Sequence, residues 1–214
     1  MELKEIDESG KMELIKKLVN IFFIVSMVLG LAMFVLLICF NFAGVFTIQT
    51  LPGTKYENPF TYPGWQAIYY GVGEMIIQGY TEFTFNIFTF LGFILPFLAI
   101  LVCSIIYLKN RKRRGTNQKK AILEFVMAGT ILVGSFLLFF CDQLSIWNAS
   151  HVTDSYQNYY EEYLLKALNG EVSFTKTAYP LVVLLIGIVT CLVKTFNGLL
   201  LLYQKKVGNA LKKG

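Results

Sequence analysis

Residues 83–120 read FTFNIFTFLGFILPFLAILVCSIIYLKNRKRRGTNQKK, an apolar run followed by a cluster of bases with no acid among them. From Phe83 to Leu108 there is no charged residue. A run of about 18 or more such residues is long enough to cross the hydrocarbon of a bilayer as a helix. Backbone groups in lipid must find partners within their own segment, which selects the helix. Pro96 removes one donor and favours a kink, and membrane helices tolerate that because neighbouring groups re-satisfy the freed carbonyl. After the basic cluster the sequence turns apolar again, from Ala121 to Trp147. Lys109, Arg111, Lys112, Arg113, Arg114, Lys119 and Lys120 therefore sit in a short linker, 109–120, between two spans. Short loops rich in Lys and Arg stay in the cytoplasm. A nucleic-acid patch is the competing reading of such a cluster. The linker is too short between two spans to serve as one, so no nucleic-acid partner is expected.

Two more runs lie outside this pair, Leu18–Phe46 and Ala178–Tyr203. The first is far longer than the roughly 7–15 apolar residues of a cleaved signal and reads as an uncleaved span. The last opens with Pro180 in its first turn, where proline fits. The chain of 214 residues is 55% hydrophobic and only 15% charged, against about 25% charged in a soluble domain. Its net charge of +5 is gathered in the linker and in Lys205, Lys206, Lys212 and Lys213 after the last run. The segments 47–82 and 148–177 hold few lysines (Lys55, Lys166, Lys176) and more acids. Every segment thus gives the same orientation. The expected fold is all-α: a single membrane domain, an antiparallel four-helix bundle with both termini cytoplasmic and two outer loops, in the cell membrane. The bilayer is then the first partner.

Charges inside spans are costly and usually face the protein interior. Glu124 and Asp142 stand about five turns apart on the third run and share one face with Ala128 and Ser135. On the fourth, Gly187, Thr190, Cys191, Lys194, Asn197 and Gly198 form a polar and small-residue stripe, expected to pack toward the third span. Lys194 lies about 13 Å from the end of its run, and its stem can extend toward the side from which Glu124 enters. A Glu124–Lys194 pair is expected, supported by Thr190, Asn197 and Ser135. It is either an ion pair that fixes helix register or a proton or ion relay; the first reading is favoured. Asp142 is expected to be interfacial and solvated. Asn20, Asn41 and Asn86 read as polar span ends. Cys39 and Cys141 lie at similar depths, so they form a disulfide if their helices touch or stay buried free thiols; the second reading is favoured.

The first outer loop begins with turn chemistry at Pro52-Gly53, Asn58-Pro59 and Pro63-Gly64. Trp65, Tyr69 and Tyr70 follow. Aromatic residues favour the headgroup level, and these three are also candidate contact residues for a partner. The second loop contains SYQNYYEEYLLKALNGE, 155–171, whose Tyr160, Leu164, Leu165 and Leu168 fall on one helical face. A short amphipathic helix is expected there. With Trp65 in a larger first outer loop, the topology resembles that of tetraspan families such as the claudins. That resemblance is to topology alone. Claudins carry a Trp…Cys…Cys signature in this loop, and here no cysteine accompanies Trp65, so no residue or role is carried over.

Function is less legible. There is no HExxH, GxSxG or Walker pattern, and His151 is the single histidine, so no catalytic, cofactor-binding or metal residue is assigned and no cofactor is expected. The expected role is that of a non-enzymatic accessory, scaffold or sensor protein meeting a membrane-protein partner or further copies of itself. The alternative is a small transporter or channel component acting as an oligomer.

Overall fold

A computed structural model of the chain describes residues 2–50, 60–69, 85–110, 117–145 and 172–210. The elements are α1 (Glu2–Phe40), β1 (Gly44–Thr50), β2 (Phe60–Pro63), α2 (Gly64–Tyr69), α3 (Ile87–Asn110), α4 (Asn117–Phe139), β3 (Val172–Lys176) and α5 (Ala178–Ala210). Four helical stretches are long and apolar enough to cross a membrane: Gly10–Phe40, Ile87–Lys109, Asn117–Phe139 and Ala178–Gly208. Each overlaps one apolar run of the sequence. Helical bonding continues past α4, with Phe140 N donating to Phe136 O and Leu144 N to Phe140 O.

Large apolar side chains cover much of the helix surface while a few charged ones are buried, unlike a water-soluble protein. Leu31 and Leu192 are each 65% exposed, while Glu124 is 1% and Lys194 2% exposed. Large exposed apolar residues recur along all four helices, including Ile24, Ile105, Val133 and Leu185. An apolar surface of that extent needs a covering, and hydrocarbon is the solvent in which it costs nothing.

Two compact units divide the chain. The first comprises Met1–Phe34, Leu95–Leu132 and Ile186–Gly214. Within it, aromatic pairs join the helices: Phe23 stacks on Tyr107 at 5.0 Å between ring centroids, Phe34 on Phe97 at 4.8 Å, and Phe22 meets Phe196 at 4.6 Å. Ile15, Val19, Ala121 and Leu201 form a buried apolar cluster. At Gly198 a Cβ would come 2.8 Å from the Phe125 ring, so α5 approaches α4 there only because the side chain is absent. Asn117 Nδ2 donates to Gln204 Oε1 at 3.0 Å, and Lys205 Nζ to Gln118 Oε1 at 2.6 Å.

The second unit comprises Val35–Ile94 and Val133–Leu185. It contains a three-stranded antiparallel sheet, ordered β2-β1-β3. The all-α expectation did not include it. The helix ends at Phe40, and the rest of the apolar run turns at Asn41–Ala43 and enters β1. Phe46 pairs with Tyr62 on one side and Lys176 on the other. Val, Ile, Thr and Phe suit a pleated surface. The register shifts between Gly44 and Phe46. Such a bulge explains why consecutive residues Val45 and Phe46 are both fully buried, where regular alternation would turn one outward.

Short contacts tie the sheet to the helices. Gly64 N donates to Ala43 O and Trp65 N to Asn41 O, so the turn after α1 supplies acceptors for the free donors opening α2. A Cβ at Gly64 would overlap the Phe40 carbonyl and ring. Thr177 links β3 to α5: its hydroxyl donates to Gly44 O at 2.6 Å and receives the Tyr179 N–H at 3.4 Å, the latter being an N-cap contact. Tyr179 Oη donates to Leu36 O at 2.6 Å. Asn86, expected as a plain polar terminus, is buried. Its Oδ1 accepts the Thr89 N–H at 3.1 Å, capping α3, and its Nδ2 donates to Ser145 Oγ at 3.0 Å. Cys39 and Cys141 are free thiols, Cys39 exposed rather than buried and Cys141 buried.

Candidate functional site

A buried polar cluster in the first unit draws on three helices. Glu124 comes from α4, Lys194 and Asn197 from α5, and Ser26 from α1. Lys194 and Asn197 are three apart and therefore neighbours on one helix face. Lys194 Nζ lies 3.3 Å from Glu124 Oε2. It also donates to Ser26 Oγ at 3.0 Å and Ser26 O at 3.4 Å. Ser26 Oγ donates in turn to Glu124 Oε2 at 3.1 Å, and Asn197 Nδ2 to Glu124 Oε1 at 3.0 Å. The three ammonium protons thus have three acceptors, and both carboxylate oxygens are engaged. Two charges removed from water each carry a desolvation penalty of several kcal/mol, which mutual attraction offsets only when the remaining hydrogen-bonding capacity is also met. That condition holds here. Asn197 Oδ1 is buried without a hydrogen-bond partner.

The lysine side chain passes close to Gly30, one turn after Ser26 on α1: a Cβ there would stand in ordinary contact, 3.5 Å from Lys194 Nζ and 3.6 Å from Lys194 Cε. The polar stripe of α5 therefore meets α1 as well as α4. Ser26 was not singled out from the sequence. The available signal is Ser26 and Gly30 four residues apart in an otherwise apolar run, the small-residue spacing that lets helices approach.

The other residues named from the sequence do not join this cluster. Thr190 Oγ1 donates to Ile186 O at 2.7 Å in its own helix. Ser135 belongs to the second unit, and its hydroxyl is buried without a partner. Trp65 and Tyr69 lie on α2, 37% and 47% exposed, with the Tyr69 ring 5.9 Å from that of Phe85. Tyr70, His151 and the expected amphipathic segment 155–171 lie outside the described residues.

Asp142 is not solvated as expected. It is 6% exposed and pairs with Lys176 at 3.2 Å. The contact lacks the alignment of a hydrogen bond, since Asp142 Oδ1 has no such partner. Lys176 Nζ also stands over the Phe139 ring at 4.3 Å and the Phe140 ring at 4.9 Å, within cation–π range. The reason for the difference is β3, which carries Lys176 to the end of α4. Among the described residues, no group of three or more His, Cys, Asp or Glu gathers in a metal-binding arrangement.

The chain matches no protein-family profile, no curated protein and no solved structure. The geometry of these clusters is accordingly the ground for a functional reading.

Proposed function

We propose that this chain is a multi-pass protein of the cell membrane that acts as a non-enzymatic accessory, scaffold or sensor. In this reading the four long helices form an antiparallel bundle, with both termini and the linker 109–120 cytoplasmic. Contacts in the first unit support an antiparallel sense for α4 and α5, because Gln118 meets Lys205 while Glu124 meets Lys194. The distribution of bases supports the orientation.

One observation carries the functional part: the Glu124–Lys194 cluster is closed on itself. A group that relays ions needs a partner it can exchange. Here each ammonium proton and each carboxylate oxygen is held by the protein's own groups. Such a cluster fixes helix register and leaves the exposed aromatic residues Trp65 and Tyr69 as the contact surface for a membrane-protein partner. Reconstitution into liposomes with an ion-flux readout tests this. The wild-type protein is expected to give no flux above empty vesicles. Robust flux that Lys194→Met abolishes would overturn the accessory reading in favour of a transporter or channel component.

A further inference from the structure

The hydrogen bonds of the cluster are complete, yet Lys194 also borders a groove. A groove of about 260 Å³ in the first unit reaches Lys194 from the exposed surface of α1 and α3. Leu31, Phe34, Ile100 and Leu101 form its apolar walls, and Gly30, Ser26 and Lys194 form its floor. Leu31 and Leu101 are exposed at its rim. Gly30 lines the groove beside the ammonium, which lies 3.5 Å from the position a Cβ would take, so a side chain longer than a methyl there would enter the groove. Ser104 adds a hydroxyl to the lining.

We propose that this groove binds a single-chain lipid whose head is uncharged and accepts a hydrogen bond, such as a hydroxyl or carbonyl. The proposal rests on the membrane reading and is independent of the accessory role. Three features select the class. The volume lies just below the roughly 300–1,000 Å³ of sites that enclose a drug-sized molecule, so it suits one chain segment. The walls are apolar. The floor is electrically balanced, because Glu124 already neutralises Lys194. A carboxylate head would leave a net buried negative charge, and an amine head a net positive one, each disfavoured away from water. A neutral oxygen leaves that charge balance unchanged. The longest of the Lys194 contacts, to Ser26 O at 3.4 Å, is the one such an oxygen replaces.

The test uses the full chain in phosphatidylethanolamine/phosphatidylglycerol nanodiscs with two diazirine-bearing probes of equal chain length, a long-chain alcohol and the corresponding fatty acid. After photolysis, labelled peptides are mapped by mass spectrometry. The alcohol is expected to label α1 around Leu31–Phe34 and α3 around Leu101 above other exposed apolar positions, with unlabelled alcohol competing. Gly30→Leu fills the groove and is expected to lower this labelling about tenfold. Where Gly30→Leu fails to fold, Leu101→Trp narrows the rim instead, with the same expectation. Labelling spread evenly to Leu185 and Leu192, labelling by the fatty acid as strong as by the alcohol, or labelling unchanged in the groove-filling variant overturns the proposal. None of these outcomes bears on the flux assay, so the two readings fail separately.

Discussion

Among the described residues two interior acid–lysine pairs solve the same physical problem in two ways. In the first unit, Glu124 and Lys194 are almost wholly buried and are completed by Ser26 and Asn197. In the second, Asp142 is buried but the Lys176 side chain is 23% exposed, and the lysine leans on the faces of Phe139 and Phe140. The comparison teaches that depth sets the company a charge needs. Where no water reaches, every proton and lone pair requires a polar partner. Where one partner retains contact with the surface, aromatic faces and a loosely aligned ion contact suffice.

The largest expected effect comes from breaking the deeper pair on one side. Glu124→Leu strands an ammonium, and Lys194→Met strands a carboxylate. Each is expected to cost about 3–5 kcal/mol, read as a lowered Tm in detergent or an earlier denaturation midpoint. The double variant Glu124→Leu/Lys194→Met is expected to recover most of the loss, because an apolar replacement of both partners is often neutral. A double variant no more stable than the singles would show that the cluster does more than neutralise itself. Ser26→Ala comes next, at about 1–3 kcal/mol, since it removes an acceptor from Lys194 and a donor to Glu124 together. Asp142→Asn is expected to cost on the order of 1 kcal/mol and to lose its effect as salt rises, whereas the penalty of Glu124→Leu stays constant with ionic strength. A salt-insensitive Asp142→Asn would erase the contrast between the two pairs. Smallest is Thr190→Val, whose hydroxyl serves only its own helix; its effect on Tm is expected to correspond to less than about 0.5 kcal/mol.

What the sequence discloses follows the range of the interactions involved. The spanning stretches are legible because run length and charge blocks are properties of contiguous residues. Glu124 and Lys194 are legible because a charge deep in an apolar run must find an opposite at similar depth. Ser26 is not, since a lone serine in an apolar helix reads equally well as a small residue. The sheet is less legible still. Residues 44–46 continue an apolar run, and only the Asn41–Gly44 turn chemistry hints that the helix stops. One partner of β1, β3, lies about 130 residues further on, and strand pairing at that separation leaves no local periodicity to read. For the same reason Lys176 stood only as one of the few lysines of segment 148–177, and Asp142 read as interfacial and solvated.

The pairing of β1 with β3 carries a consequence for biosynthesis. A ribosome adding about 5–20 residues per second finishes Gly44–Thr50 on the order of ten seconds before Val172–Lys176 exists. Through that interval β1 has β2 on one edge, while its other edge and Gly44 O wait for β3 and the Thr177 hydroxyl. Closure at Thr177 happens only once the last helix begins to emerge. A chain truncated before it keeps one edge of β1 unpaired and Gly44 O without its Thr177 donor.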